Sequence, residues 1–246
     1  MGMYLELSRP RGDVSRWEKV LKRLILLNKN YPMQNPKCDH INFLRDFEGT
    51  QDDANAIYKI ARDSITNQGL VFFGGYASSL YSKYMPKDKR KMFENKSPDF
   101  DVLSEDPETS ATIIKERLSD EGFEHVKIHK HAGFGEIISE HYEVEVDGDT
   151  VVFIYKPLAC HSYNVVRIAG KKIKVATIDT MLSFFLAFLY ADRPYYDHDR
   201  IICMAQYLFK VQAKNRLQQK GVLKRFSLQC IGCLLYTSDA ADDLLC

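Results

Sequence analysis

The chain has 246 residues, of which 45% are hydrophobic and 12% aromatic, so it can bury a core in one large domain or two small ones, which excludes a disordered protein. Its 34 basic residues nearly balance its 33 acidic ones, which excludes binding to nucleic acid through a uniformly basic surface. The six cysteines are scattered, which argues against a secreted disulfide framework and predicts a reducing compartment. The most apolar stretch, residues 181–190, is too short to span a bilayer, so we expect a cytoplasmic protein without a membrane partner.

Two amphipathic helices are predicted near the N-terminus. Apolar residues recur at helical spacing over residues 13–29 and again over residues 51–68, with a proline-containing loop between them. We therefore expect an N-terminal helical segment over residues 1–69 that packs on a following sheet.

A strand, a tight turn and a helix are predicted next, at the start of a core that spans residues 70–175. The run from Leu70 to Phe73 is rich in β-forming residues, and Gly74 and Gly75 follow it directly. Glycines lack a Cβ atom and the first amides of a helix have no partners within it, so this turn can accept the phosphates of a nucleotide. The helix after the turn is expected to end near residue 85.

Two aspartates follow on a second predicted strand. Asp99 and Asp101 are two residues apart, so both carboxylates lie on one face and can bind one divalent cation while Phe100 points into the core. The simpler alternative is a strand with two solvated aspartates. Because neighbouring acids are costly without a cation, the metal site is favoured.

A basic segment precedes the aspartates, with six basic and two acidic residues between residues 83 and 96. One interpretation is a solvated surface loop. The other is contact with phosphates of the nucleotide or of RNA, since a nucleic-acid channel needs cations beside an acidic metal site. Under the second interpretation the RNA-binding residues are Lys87, Lys89, Arg90 and Lys91.

The rest of the core is predicted to be one helix and several short strands. Alternating apolar residues predict strands over 125–131, 142–146 and 150–155, and Asp147 and Gly148 mark a hairpin turn between the last two. The segment 160–164 is expected to be irregular. The hydroxyl and ring of Tyr163 and the amide of Asn164 suit ribose and base contacts, and a hydrogen-bonded turn is the alternative.

A C-terminal helical region is predicted over residues 176–229. Thr177 is expected to cap an apolar helix that ends near residue 190, and a longer helix follows over residues 195–219. Between residues 167 and 225 twelve basic residues face four acidic ones, which predicts a local basic surface. The last segment, residues 230–246, is acidic and typical of translated sequencing-adapter sequence, so we expect a non-native tail and a longer natural protein.

The Gly-Gly turn followed by Asp-x-Asp resembles the motif pair of the polymerase-β-like nucleotidyltransferases. Residues 71–81, 98–103 and 160–164 together are more closely similar to the poly(A) polymerase catalytic subunits of poxviruses and giant DNA viruses. The resemblance covers about residues 10 to 228. One departure is that the gap between Gly75 and Asp99 is longer than is usual in that superfamily.

The resemblance implies an α+β fold in which helices flank a mixed nucleotidyltransferase sheet. It also implies template-independent transfer of AMP from ATP to RNA 3′ ends by a two-metal mechanism, with two Mg²⁺ or Mn²⁺ ions held by Asp99, Asp101 and a third acid. Glu143 is the predicted third carboxylate and Glu145 the next candidate, both on one face of a predicted strand. An exposed hairpin face with alternating glutamates explains these two residues equally well.

The resemblance further implies partners and a nucleotide site. The expected partners are ATP, an RNA 3′ end and either a second copy of the chain or a processivity subunit, in a viral factory or virion if the protein is viral. Two alternatives stay open, a nucleotidyltransferase that acts on another acceptor and a catalytically silent scaffold that binds RNA or a partner. The expected nucleotide-binding residues are Gly74, Gly75, Tyr76, Ser78, Ser79, Tyr163 and Asn164.

Overall fold

The computed structural model describes residues 2–8, 14–33, 38, 41, 49–90 and 99–232. In this part of the chain helices flank an eight-stranded mixed sheet, so the predicted α+β fold is confirmed. The helices are α1 (Gly2–Ser8), α2 (Val14–Asn30), α3 (Gln51–Gln68), α4 (Gly74–Ser79), α5 (Lys87–Arg90), α6 (Pro107–Asp120), α7 (Ile178–Ala191) and α8 (His198–Lys214). The strands are β1 (Val71–Phe73), β2 (Phe100–Leu103), β3 (Val126–His131), β4 (His141–Val146), β5 (Asp149–Tyr155), β6 (His161–Ile168), β7 (Lys171–Ala176) and β8 (Cys230–Ile231).

The strand that precedes the glycine turn and the strand that carries the aspartates are neighbours at the centre of the sheet. The strand order is β3-β4-β5-β2-β1-β7-β6-β8. β1 runs antiparallel to β2 and parallel to β7, and β2 runs parallel to β5. Phe73 pairs with Asp101, which in turn pairs with Phe153. The end of β1, the start of β2 and the middle of β5 therefore lie side by side.

Aromatic side chains pack on both faces of these central strands. Phe72 and Phe73 are consecutive on β1, so their fully buried side chains point to opposite faces. The Phe72 ring lies 4.8 Å from the Tyr76 ring and 5.7 Å from the Phe100 ring. Phe73 packs against Phe184 of α7 at 4.7 Å. The helices before and after the core share one hydrophobic cluster with the sheet, and the domain boundaries at residues 69 and 175 stay predictions.

Local sequence signals set the ends of several elements. Thr50 caps the start of α3 and Gly69, with φ of 69°, ends this helix. Thr177 caps α7 by accepting a hydrogen bond from a backbone amide of its first turn. Asp147 and Gly148 have φ of 53° and 96°, the backbone of a tight turn between β4 and β5. The bounds of α3, the Thr177 cap and the Asp147–Gly148 turn agree with the sequence predictions, and the caps at Thr50 and Gly69 were not predicted.

The segment 160–164 corrects a sequence prediction. It was expected to be irregular, but residues 161–164 begin β6, which pairs with β7 and β8. Its polar side chains find partners inside the fold, because the hydroxyl of Ser162 lies 2.8 Å from the hydroxyl of Thr177. A polar sequence that is typical of a loop can therefore form a buried strand.

Two helices are shorter than predicted. α4 ends at Ser79 rather than near residue 85, since a 3₁₀ turn over Ser82–Tyr84 follows it. α8 begins at His198 rather than at residue 195, because the side chain of Asp197 caps its first turn. The two tyrosines before Asp197 therefore belong to the connection between α7 and α8.

The described cysteines form two disulfides, although the sequence predicts a reducing compartment. They join Cys38 to Cys203 and Cys160 to Cys230. The second disulfide joins the residue before β6 to the first residue of β8. Cys230 and Ile231 pair with β6 in the sheet, although the sequence assigns them to a tail. Residues 233–246 lie outside the described residues. No described helix combines the length and the apolar character needed to cross a membrane.

Candidate active site

Asp99 and Asp101 lie at the start of β2 and line one cleft. Asp99 immediately precedes the strand and is 9% exposed. Phe100 between them is buried and packs against Phe72, so it points to the opposite face. The alternation of side chains along an extended chain therefore brings both carboxylates to one face.

The glycine turn lies directly against Asp101. Gly74 has φ of +63°, in the left-handed region that favours glycine. A Cβ atom at Gly74 would lie 2.7 Å from the Cβ atom of Asp101 and would overlap its carboxylate. Gly75 itself lines the cleft. Glycine at position 74 is thus required by the backbone and by the place that the Asp101 side chain occupies.

The other predicted residues of α4 are engaged within the fold. The Ser78 hydroxyl donates to the Gly74 carbonyl at 2.7 Å, and the Ser79 hydroxyl donates to the Tyr76 carbonyl at 2.6 Å. The Tyr76 ring is buried between aromatic side chains that include Phe100, at 5.2 Å. The structure therefore brings Gly75 into the cleft with the aspartates, whereas these three side chains contact the protein interior.

Aromatic residues form much of the rest of the cleft. The cavity volume is about 50 Å³, far below the roughly 300–1,000 Å³ of typical small-molecule sites. The cleft is thus smaller than a typical small-molecule site. Its aromatic residues come from β5, α7 and the α7–α8 connection, and they are Phe153, Tyr155, Phe185, Phe188, Tyr195 and Tyr196.

Two of these tyrosines form a hydroxyl pair near Asp101. The hydroxyls of Tyr155 and Tyr196 lie 3.3 Å apart. Burial raises the pKa of both hydroxyls, and the negative charge of Asp101 adds to this shift. Both tyrosines therefore stay uncharged and can donate hydrogen bonds at neutral pH.

Two charged residues of the site were missed by the sequence analysis. The Nη2 atom of Arg200 lies 3.4 Å from the Oδ1 atom of Asp99, and these side chains are 11% and 7% exposed. Asp197 lines the same cleft, and its carboxylate accepts a hydrogen bond from the Arg200 amide at 3.0 Å. The signal that could have located them is the helix cap, since an Asp before a helical pattern marks the start of α8.

The position beside Asp101 on the next strand is occupied by Phe153, not by an acid. Glu143 pairs with Phe153 from the other side and so lies two strands from Asp101. Its carboxylate is 2.7 Å from Nε2 of His131 and accepts a hydrogen bond from the Thr150 hydroxyl at 2.5 Å. Glu143 is not among the described residues that line the cleft. Its role as the third acid stays a prediction.

Tyr163 and Asn164 lie on β6 and are also not among the described residues that line this cleft. The Asn164 side-chain amide donates to the Lys224 carbonyl at 2.6 Å. The ammonium group of Lys174 lies 5.4 Å from the centre of the Tyr163 ring. Tyr163 and Lys174 line a separate groove. The structure thus does not bring these two predicted residues together with the aspartates.

The basic segment is described only in part. Lys87 is exposed at the start of α5. The Arg90 guanidinium donates to two backbone carbonyls of the preceding residues, at 2.8 and 3.2 Å. The side chain of Lys89 and the whole of Lys91 lie outside the described residues. Binding of RNA by this segment stays a prediction.

The acids of the cleft suit a metal ion that arrives with its substrate. Within the described ranges, no group of three or more His, Cys, Asp or Glu side chains could hold a metal ion by itself. Mg²⁺ commonly binds through one or two carboxylates together with substrate phosphates, and oxygen ligands also suit Mn²⁺. Asp99 and Asp101 fit that arrangement because both line one cleft beside the glycine turn.

The chain matches no protein-family model and no curated protein. Its structure is similar to that of the Megavirus polyadenylate synthase, with a TM-score of 0.71, 15% sequence identity and coverage of 95% of this chain. The chain spans 49% of the length of that protein. The similarity shows that this chain and that synthase share a fold, so the resemblance to viral poly(A) polymerases holds at the level of the fold.

Two further solved structures align more weakly. One is ANT(2″)-Ia in complex with adenylyl-2″-tobramycin, with a TM-score of 0.35, 14% identity and coverage of 68% of this chain and 98% of that one. The other is an antigenic nucleotidyltransferase-like protein from Paracoccidioides brasiliensis, with a TM-score of 0.31, 16% identity and coverage of 74% and 96%. Both TM-scores are too low to show a shared fold.

Proposed function

We propose that this chain transfers AMP from ATP to the 3′ end of RNA without a template. The observation that carries the proposal is the position of Asp99 and Asp101, which line one cleft with Gly75 and lie beside a turn whose Gly74 leaves room for Asp101. The fold shared with a viral polyadenylate synthase supports the choice of reaction and acceptor.

The reaction joins the RNA 3′ oxygen to the α-phosphorus of ATP and releases pyrophosphate. Asp99 and Asp101 would hold two Mg²⁺ or Mn²⁺ ions, which would supply charge neutralisation and activation of the 3′ hydroxyl. Gly74 and Gly75 would let the phosphates approach the backbone. The neutral hydroxyls of the cleft tyrosines would donate hydrogen bonds to the nucleotide.

Entry of the nucleotide is expected to require movement of the α7–α8 connection. The cavity volume of about 50 Å³ is too small for ATP. Tyr195 and Tyr196 are the aromatic residues of the cleft that lie outside helices and strands, so they can move at lower cost than the strands. We expect them to separate from Phe153 and Tyr155 when ATP binds.

The remaining expected contacts are part of the same proposal. Lys87, Lys89, Arg90 and Lys91 would bind RNA phosphates, and Glu143 would act as the third acid if ligand binding rearranges β4 and β5. A second copy of the chain or a processivity subunit, and a cytoplasmic location, also stay predictions. Glu143→Gln tests the third acid, because a metal ligand would lose activity whereas a residue that only binds His131 would not.

Primer extension tests the reaction. Purified protein is incubated with Mg²⁺, a labelled RNA primer and each nucleoside triphosphate in turn. We expect the primer to lengthen with ATP and without a template. Extension by all four nucleotides would contradict the base preference, and label transferred from ATP to another acceptor in the absence of RNA would indicate a different nucleotidyltransferase.

A second candidate function, a catalytically silent scaffold, is favoured by two observations. Phe153 stands beside Asp101 where a strand neighbour could supply an acid, and Asp99 is paired with Arg200. Such a scaffold would bind RNA or a partner without transferring AMP. RNA binding without primer extension, together with no Mn²⁺ bound at Asp99 and Asp101, would support the scaffold over the enzyme.

A further inference from the structure

Arg200 holds the place beside Asp99 that a cation would take. It is on the first turn of α8, and its guanidinium reaches Asp99 across 101 positions of sequence. A basic side chain in the first turn of a helix opposes the helix dipole, so this position does not serve the helix. The Arg200 side chain instead neutralises a carboxylate that is only 7% exposed.

The Arg200 side chain is incompletely satisfied in its ion pair with Asp99. It is formed by one nitrogen of Arg200 at 3.4 Å, rather than by two parallel hydrogen bonds. The Nε atom of Arg200 is buried and has no hydrogen-bond partner in the described part of the chain. A buried donor without a partner is costly. The contact therefore compensates charge without the geometry of a permanent structural pair.

We propose that Arg200 is a counter-ion of Asp99 that a divalent cation must displace before the cleft becomes active. The inference rests on the proposed function for the identity of Asp99 as a metal ligand. A divalent ion and a guanidinium repel each other strongly at contact distance in a cleft shielded from water. The flexible side chain of Arg200 can leave Asp99 without unwinding α8, since the helix cap uses the Arg200 amide and not its side chain.

Displacement has a consequence for the order of binding. With Arg200 on Asp99, the free protein binds metal weakly, because each metal ion must break the ion pair. A triphosphate that enters with its metal ion brings negative charge that the released guanidinium can contact. The cleft is thereby biased toward the metal-nucleotide complex over the metal alone.

Direct Mn²⁺ titration of the full chain, read by electron paramagnetic resonance of free Mn²⁺ in the absence of nucleotide, tests the proposal. Arg200→Gln should bind Mn²⁺ about 10-fold more tightly than the unmodified protein, because the competing charge is gone. Arg200→Lys retains the charge and should stay closer to the unmodified protein. Arg117→Gln, which removes the same charge from an exposed site on α6, should change the affinity by less than about 2-fold.

The outcomes separate this inference from the proposed function. If folded Arg200→Gln binds Mn²⁺ equally well or more weakly than the unmodified protein, Arg200 does not compete with the metal ion for Asp99. If Asp99→Asn still abolishes Mn²⁺ binding in that case, the metal site itself is retained. If Asp99→Asn leaves the Mn²⁺ affinity unchanged, Asp99 is not a metal ligand. Circular dichroism verifies that each variant is folded. If Arg200→Gln is unfolded, Arg200→Met gives the same comparison with a side chain of similar length.

Discussion

At the scale of single residues, Gly74 couples the backbone of the turn to the position of Asp101. We expect Gly74→Ala to destabilise the protein by about 1–3 kcal/mol, because alanine is strained at φ of +63° and its Cβ would overlap Asp101. A displaced carboxylate should also reduce AMP transfer by about 100-fold. Urea unfolding and primer extension measure the two effects.

Gly135→Ala is the matched control for the strain. Gly135 has φ of +52°, and a Cβ atom there would meet no atom within 4 Å. Gly135→Ala should lose stability because of backbone strain alone and should retain AMP transfer. Equal activity of the two glycine variants would show that Gly74 has no special role at Asp101.

His141 makes the stability of the folded protein depend on pH. Its Nδ1 atom lies 3.1 Å from the Ser139 carbonyl, which can only accept, so Nδ1 carries the proton. The Nε2 atom then accepts from the hydroxyl of the cleft residue Tyr195 at 3.2 Å. Burial lowers the pKa of His141 from 6.5 to about 4, with a smaller contribution from the nearby His131. The folded protein thus keeps this imidazole neutral.

The consequence is a loss of stability in acid. Below pH 6.5 the unfolded chain binds a proton at His141 that the folded protein takes up only near pH 4. The free energy of unfolding should therefore fall by up to about 1.4 kcal/mol per pH unit between these values from this residue. His141→Gln, which cannot titrate, should remove that part of the slope in urea unfolding at pH 6 and pH 4.5. The exposed His125→Gln should leave the slope unchanged, and identical slopes for all three proteins would contradict the assignment.

At the scale of elements, Arg225 joins the N-terminal helices to the helices behind the active site. Its buried guanidinium lies 3.4 Å from Asp179 at the start of α7 and 2.9 Å from Glu18 of α2, and it donates to the Trp17 carbonyl. Asp179 is almost completely buried. Loss of Arg225 would leave this acid without its positive partner.

We therefore expect Arg225→Met to reduce the free energy of unfolding by about 3–5 kcal/mol. Replacing Asp179 by Leu in the same protein should restore much of this loss, since the unpaired buried charge is then absent. The midpoint and slope of guanidinium unfolding measure both variants. A loss below about 1 kcal/mol for Arg225→Met would mean that the network does not hold these helices together.

Elements whose signals are local could be predicted from the sequence, and the others could not. The helical spacing of apolar residues, the Thr177 cap and the Asp-Gly turn are local signals, so α3, α7 and the β4–β5 hairpin were located correctly. The first half of β6, residues 161–164, was missed because its polar side chains are satisfied by distant partners, as Asn164 is by Lys224. The start of α8 was misplaced, and with it the tyrosines and Arg200 of the cleft.

At the scale of the whole molecule, the sheet order explains why the site could be found only in part. Asp99, Asp101 and the glycine turn lie on neighbouring central strands, so the sequence motif and the spatial site coincide. The remaining wall comes from β5, α7 and α8, whose approach depends on the packing of the complete fold. No pattern of single residues near Asp99 could indicate a partner 101 positions away.

The fold and the proposed activity have different support. The fold is shared with a viral polyadenylate synthase across 95% of this chain, which equals about half of that protein. At 15% identity this similarity shows the fold alone, and transfer to an RNA 3′ end is a proposal that it supports. The activity rests on the two carboxylates and the glycine turn, so a test of the activity must change the carboxylates and little else.

The most direct measurement is single-turnover transfer of labelled AMP to an RNA 3′ end by Asp101→Asn. The substitution keeps the shape of the side chain and removes the charge that would bind the metal ion. Asp147→Asn is the control, since Asp147 is exposed on the β4–β5 turn and asparagine tolerates its φ of 53°. We predict at least about a 100-fold loss of transfer for Asp101→Asn and no loss for Asp147→Asn. Transfer by folded Asp101→Asn at the rate of the unmodified protein would contradict the proposed role of Asp101 in AMP transfer.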